Sequence, residues 1–200
     1  MKALLIVGMQ TDLLPGGPAE VPGSHELVPV INALQYKFEC VVAAHFHTPA
    51  DHLVFAANHP WRRPGQIIAI DGAPTVLRHI SCVPGSFGAE PAPGLSIENI
   101  AFIAEMGTSR DIPPYSAFFD AGKKRDTGLL SFLKEKNVKE LYIAGIPLEE
   151  EVRNSALDAQ DAGFNVHIVA EACRARSNQA TTDSSAQALD GLIKQFNSHD

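Results

Sequence analysis

Three consecutive acids, Glu149, Glu150 and Glu151, stand where a predicted strand (140–146) gives way to a predicted helix (148–162). Open α/β sheets place their binding and catalytic groups where strand ends lead into helix starts. Acidic side chains are also favourable in the first turn of a helix, where the helix dipole is positive. The position of these carboxylates therefore allows a structural role and a chemical one.

Two further groups of residues have types that could do chemistry. Asp51 and His52 follow the strand predicted over 39–46, and beside Glu151 they would supply an acid–base pair or a rebuilt metal site. The three cysteines are far apart in the chain, without the spacing of a metal site, and we interpret them as small buried apolar residues: Cys40, Cys82 and Cys173.

The elements that must position these residues alternate between strand and helix. Alternation of this kind predicts an α/β fold with a parallel sheet and right-handed crossovers. The predicted strands are 2–9, 39–46, 99–106, 140–146 and 165–172, with a short extended piece at 66–70. The helices predicted after residue 120 are 126–137, 148–162 and 178–196.

Composition limits the function classes. The chain has 200 residues, 45% of them hydrophobic, and a formal net charge of −7. An acidic chain without basic runs gives no electrostatic footprint for nucleic acid or anionic membranes. No apolar run is long enough to span a bilayer, and the N-terminus enters a strand at once, unlike a signal peptide. We expect a cytoplasmic protein with one domain over 1–200.

Several stretches together resemble the isochorismatase-like hydrolases, and most closely their nicotinamidase/pyrazinamidase branch. They occur in the family's order: "ALLIVGMQTDLLPGGPAEVPG", "VVAAHFHTPADH", "VLRHISCVPGSFGAEPAPGL", "GTSRDIPPYSAFFD" and "LYIAGIPLEEEVRNSALDAQDAGF". The resemblance implies a three-layer fold with a six-stranded parallel sheet in the order 3-2-1-4-5-6. It also implies hydrolysis of a small amide by a cysteine, an aspartate base and a lysine, with a metal ion that holds the substrate's ring nitrogen.

This chain departs from that pattern at all three positions that the resemblance assigns to the catalytic triad. The family's V-D-x-Q-x-D stretch reads "VGMQTD", which puts Gly8 at the position of the base. The lysine position is Met106 in "AEMGTS", and the cysteine position is Glu151 in "GIPLEEEV". A thiolate mechanism needs a nucleophile and a group that takes its proton. We therefore predict that no intact catalytic residue remains.

The metal positions depart as well. The family's D-W-H-P-A-D-H stretch aligns on "FHTPADH", so its ligand positions hold Phe46, Thr48 and His52, and the remaining ligand histidine becomes Ser81. Only His52 can be a strong ligand, and one imidazole does not make a metal site. We predict no metal and no other cofactor.

The oxyanion-binding backbone is also changed. In the family, the pair before the Thr-Asp equivalent is joined by a cis peptide, and backbone N–H groups nearby face the developing oxyanion. Here that pair is Ile146 and Pro147, and proline tolerates the cis form but has no N–H to donate.

These observations favour a family member that has lost amide hydrolase activity and serves as a ligand- or partner-binding protein. The alternative is an active hydrolase of a small amide with a site rebuilt around Glu151, His52 and Asp51. We expect a small-molecule ligand, no nucleic acid or membrane partner, and a homo-oligomer. The ligand cleft is predicted at Gln10, Asp12, Phe46, His52, Pro147 and Glu151.

Overall fold

A computed structural model describes residues 1–176. Its strands are β1 (Lys2–Val7), β2 (Cys40–Phe46), β3 (Ile67–Ile70), β4 (Ala73–Val76), β5 (Ile100–Met106), β6 (Glu140–Gly145) and β7 (Asn165–Cys173). Its α-helices are α1 (Leu27–Gln35), α2 (Leu129–Glu135) and α3 (Arg153–Asp161). Strands and helices alternate, which confirms the predicted α/β class.

Five strands form one parallel sheet in the spatial order β5-β2-β1-β6-β7. Counted along the chain, this order is 3-2-1-4-5. The prediction was six strands in the order 3-2-1-4-5-6, and the described residues supply five of them. Because all five strands are parallel, their carboxyl ends lie at the same edge of the sheet.

Strand β1 lies at the centre of the sheet, between β2 and β6. Its residues Ala3–Val7 are fully buried, because helices and loops cover the faces of the sheet. This accounts for the continuous apolar sequence of the strand. Helices α1 and α3 pack against β7, and α2 packs against β5.

The extended piece predicted at 66–70 is a strand, but it does not join the central sheet. It pairs antiparallel with β4 in a separate hairpin, where Ile67 faces Val76. Asp71 and Gly72 form its tip, with φ of 51° and 79°, as a two-residue hairpin turn requires. The hairpin leads directly into Leu77 and Arg78.

Two predicted helices differ in extent from the observed ones. Helix α2 begins at Leu129 rather than 126, because Gly128 has a positive φ of 85° and cannot continue a helix. The helix predicted over 148–162 starts with a wide π-helical turn, Leu148–Val152, before α3 begins. The helix predicted at 178–196 lies outside the described residues. Within those residues, no helix has the length and apolar character needed to cross a membrane.

Candidate functional site

The site lies where β1, β2, β5 and β6 end. After β6 the chain passes through a cis peptide between Ile146 and Pro147 and enters the wide turn that carries the three glutamates. The Val152 N–H donates to the Pro147 carbonyl at 3.3 Å, an i to i+5 bond that closes this turn. Single π turns occur often at functional sites, because they displace side chains from regular helical positions.

Gly8 follows the last residue of β1 and holds a positive φ of 67°. A Cβ placed on Gly8 would overlap the carbonyl oxygen of Ile146 and come within 3.5 Å of the Phe46 ring. Phe46 is the register partner of Met106 across β2 and β5. These contacts bring the ends of β1, β2, β5 and β6 around one point, and a side chain at position 8 has no room there.

Arg78 connects this point to the glutamates. Its guanidinium carbon stands 5.7 Å from the centroid of the Phe46 ring, and its Nη2 donates to Glu151 Oε1 at 2.7 Å and to Glu150 Oε2 at 3.1 Å. The backbone of Arg78 is fixed on both sides, since its N–H donates to the Val54 carbonyl and its carbonyl accepts from the Ala56 N–H. The ion pair is therefore held by a hydrogen-bonded backbone at Arg78 and by a helical turn at Glu151.

The electrostatics of this pair follow from its burial. The Glu151 side chain is only 1% exposed. Burial raises the pKa of the Glu151 carboxyl, and the charge of Arg78 opposes that rise without cancelling it. Burial alone would lower the pKa of the Arg78 guanidinium, but the carboxylates of Glu151 and Glu150 more than offset it, so its pKa is raised. Arg78 is thus a permanent cation at this position.

Arg176 completes the charge network from the other side. Its Nε donates to Glu150 Oε1 at 3.1 Å, and its backbone N–H donates to Glu149 Oε1 at 2.8 Å. Its Nη1 also donates to the Ala19 carbonyl at 2.8 Å. Glu150 thus bridges two guanidiniums, whereas Glu149 and Glu151 each use one carboxylate oxygen.

A cleft of about 890 Å³ opens onto this network. Such a volume suits a small organic ligand, for which clefts of roughly 300–1,000 Å³ are usual. Phe46, Tyr115 and Pro114 supply apolar wall, and the β3–β4 hairpin forms part of the rim. The charged lining residues are Glu20, Arg78, Glu149, Glu150, Glu151 and Arg176, with His79 beside them.

Of the six residues predicted in the cleft, Phe46 and Glu151 line it. Gln10 is buried and clamps the Phe46 backbone: its Nε2 donates to the Phe46 carbonyl and its Oε1 accepts the Phe46 N–H at 2.7 Å. Asp12 accepts the Cys82 N–H at 2.6 Å. Pro147 accepts hydrogen bonds on its carbonyl within the wide turn. Gln10, Asp12 and Pro147 therefore hold backbone segments around the cleft in place, but they are not among the residues that line it.

His52 differs most from its predicted role. It is fully buried, its Nδ1 accepts the Val54 N–H at 2.8 Å, and its Nε2 lies 3.1 Å from the Ile112 carbonyl. These bonds fix the neutral tautomer with the proton on Nε2, and burial lowers the pKa of the ring. Asp51 is exposed and pairs with Arg110 at 3.3 Å. His52 and Asp51 are thus engaged by other partners, and neither is among the residues that line the cleft with Glu151.

The positions assigned to metal ligands do not fit a metal ion. Phe46 has no donor atom, Thr48 is buried with a neutral hydroxyl, and the Ser81 hydroxyl donates to the His79 carbonyl at 3.4 Å. His52 has no free nitrogen. No group of three or more His, Cys, Asp or Glu in residues 1–176 is arranged to hold a metal.

The cysteines do not offer a replacement nucleophile. All three are free and buried. Burial raises the pKa of each thiol, to about 12 for Cys173, so the reactive thiolate is not populated near neutral pH.

Sequence reasoning missed Arg78 and Arg176. A buried glutamate signals that a cation must lie nearby, because an unpaired buried charge is strongly unfavourable. That signal does not specify which basic residue forms the ion pair. Arg62 and Arg63, the adjacent basic pair in "WRRPG", are exposed and do not line the cleft.

A parallel α/β sheet with a ligand-sized cleft beyond its carboxyl edge defines the class of open-sheet α/β proteins. The chain belongs to the isochorismatase family, whose Isochorismatase domain model matches residues 2–197. Within that family it falls in the nicotinamidase branch.

Its similarity to individual nicotinamidases is substantial. It is 36% identical over 173 residues to a nicotinamidase of Acinetobacter baylyi, covering 86% of this chain and 81% of that protein. It is 34% identical over 180 residues to the nicotinamidase of Escherichia coli, covering 86% and 83%. The solved nicotinamidase/pyrazinamidase of Acinetobacter baumanii superimposes with a TM-score of 0.89 at 33% identity, covering 96% of this chain and 93% of that one. A solved pyrazinamidase of Pyrococcus horikoshii in complex with zinc superimposes with a TM-score of 0.74 at 29% sequence identity, covering 97% of this chain and 94% of that one.

Proposed function

We propose that this chain is a nicotinamidase-family protein that no longer hydrolyses amides and that uses its cleft to bind a small molecule. The family membership supplies the cleft and its position at the sheet edge. The replaced triad positions, Gly8, Met106 and Glu151, remove the nucleophile, the base and the lysine that the family resemblance implies.

The observation that carries this proposal is the pairing of Glu151 with Arg78. Glu151 stands at the position assigned to the nucleophile, buried, with Oε1 held 2.7 Å from a guanidinium nitrogen. A carboxylate is a poor nucleophile toward an unactivated amide, and a carboxylate bound in a charge-assisted hydrogen bond is poorer still. Gly8 offers no group to take a proton, and Met106 is buried and uncharged.

A rebuilt hydrolase around Glu151, His52 and Asp51 finds no support in the contacts. His52 has both ring nitrogens engaged with backbone, and Asp51 pairs with Arg110 at the surface. Neither group is within the cleft lining where a substrate amide would meet Glu151.

Ammonia release from nicotinamide and pyrazinamide tests the loss of activity. The purified chain and its Glu151→Gln variant should both release ammonia at the rate of buffer alone, with the Escherichia coli relative as positive control. Wild-type turnover that survives repurification and disappears in Glu151→Gln would contradict the proposal, because it would make Glu151 a working nucleophile or base.

A further inference from the structure

The cleft carries more negative charge than its own cations balance. Four glutamates line it, Glu20, Glu149, Glu150 and Glu151, against two arginines, Arg78 and Arg176. Both arginines already donate to these glutamates. The unbalanced charge in the cleft is therefore negative.

Two carboxylate oxygens in the cluster have no partner. Within residues 1–176, Oε2 of Glu149 and Oε2 of Glu151 are buried and accept no hydrogen bond. Glu151 is 1% exposed and yet contributes to the cleft lining. A buried acceptor without a donor is unfavourable, so a bound group that supplies N–H donors would gain more here than at the exposed surface.

The walls beside the carboxylates are apolar. Phe46 and Tyr115 present aromatic surface, and Pro114 adds an aliphatic face. A ligand that matches this cleft has a compact, flat apolar body and a charged end that donates hydrogen bonds.

We propose that the cleft binds a small organic cation with N–H donors, of the amidinium or ammonium class, with the carboxylates of Glu149 and Glu151 in the lining as its counter-charges. This inference rests on the proposed function, since it names the ligand class of the same cleft. It also predicts discrimination against carboxylates, because an anion would meet two more carboxylates than guanidiniums in the lining.

Three probes of one shape separate the classes: benzamidine is a cation, benzamide is neutral and benzoate is an anion. Isothermal titration calorimetry on the full chain should give a dissociation constant for benzamidine at least about tenfold below those of benzamide and benzoate. Tightest binding of benzoate, equal binding of all three, or no binding of benzamidine would each overturn the inference.

Glu149→Gln is the sharpest variant. It keeps the oxygen that accepts the Arg176 N–H and removes only the charge. Benzamidine affinity should fall about tenfold, whereas Glu98→Gln, an exposed glutamate outside the cleft, should leave it unchanged. An unchanged affinity in Glu149→Gln would place the cation elsewhere and overturn the assignment.

The same samples keep the two claims separate. Ammonia release from benzamide or nicotinamide would defeat the loss of activity whatever the affinities are. Tight benzoate binding without ammonia release would leave the loss of activity standing and remove the cation preference alone.

Discussion

Nη2 of Arg78 lies 2.7 Å from Oε1 of Glu151, although the two residues are 73 positions apart in the chain. The pair joins the end of the β3–β4 hairpin to the turn that begins α3, two segments that no strand pairing connects. A single buried charge pair therefore ties the rim of the cleft to its base. Removing Arg78 leaves the Glu151 charge buried without its cation, whereas removing Glu151 leaves Arg78 paired with Glu150.

Arg78→Met should lower the free energy of unfolding by about 3–5 kcal/mol, because it leaves the buried Glu151 carboxylate without its cation. Arg110→Met is the matched control: its ion pair with Asp51 is exposed, and the loss should stay within about 1 kcal/mol. Urea unfolding followed by circular dichroism measures both. Equal losses in the two variants would mean that the Glu151 pair is no stronger than a surface one.

The double variant Arg78→Met, Glu151→Met should recover most of the stability lost by Arg78→Met alone. Replacing both members of a buried ion pair with apolar groups is often nearly neutral, whereas removing one member is not. The same urea titration gives the coupling between the two positions. A double variant no more stable than Arg78→Met would show that cavity formation, rather than an unpaired charge, causes the loss.

Stability should depend on pH through Glu151. Its pKa is raised above the ordinary 4.5, mainly by burial, so the folded protein holds this proton more tightly than the unfolded chain does. Its contribution is complete below pH 4.5 and is lost as pH rises through the folded pKa. As pH rises above 4.5, the unfolding free energy of wild type should therefore fall relative to that of Glu151→Gln. A difference that does not change as pH rises above 4.5 would contradict the raised pKa.

Gly8→Ala should destabilise the chain more than Gly85→Ala. Both glycines have a positive φ, 67° and 77°, so both variants bear the cost of about 1 kcal/mol for a left-handed alanine. Only at Gly8 would the new Cβ overlap a backbone oxygen, whereas Gly85 has no atom within 4 Å of that point. Thermal unfolding of the two variants compares them, and equal melting temperatures would show that the Ile146 carbonyl moves aside easily.

His52→Ala should reduce stability without any change in bound metal. The substitution leaves the Val54 N–H and the Ile112 carbonyl without their partner, at a cost of about 1–3 kcal/mol each where water cannot replace it. Elemental analysis of wild type purified without chelator should find no stoichiometric zinc or iron. One equivalent of metal in wild type that is lost in His52→Ala would overturn this structural role.

The strands of the central sheet could be predicted because each is a short apolar run between turn signals, and such runs need both faces covered. The piece at 66–70 carries the same signal, yet it forms a hairpin, since the two-residue Asp71–Gly72 turn returns the chain at once to an antiparallel partner. The hydrophobic pattern of a segment predicts that it is a strand, but not which sheet the strand joins.

The sequence predicted where in the fold the candidate site lies more readily than which residues line it. The carboxyl ends of β1, β5 and β6 meet because parallel strands share an edge, and this rule needs only the strand assignments. Arg78 could not be predicted, because its approach to Glu151 depends on the path of a loop-rich segment far away in the chain. His52 failed as a cleft residue for a related reason: its two backbone partners, at Val54 and Ile112, are visible only in three dimensions.

The Ile146 carbonyl beside Gly8 has a consequence for the order in which this sequence can change. With the backbone as it stands, any residue other than glycine at position 8 collides with that oxygen, so a substitution there is penalised until the segment after β6 has shifted. The same substitution becomes tolerable once that shift has occurred. Position 8 and the 146–147 peptide therefore form an epistatic pair, in which a change at one alters the fitness of changes at the other. Introducing a side chain at the end of β1 therefore takes at least two changes, and a chain that carries only the substitution at position 8 is less stable than the present one.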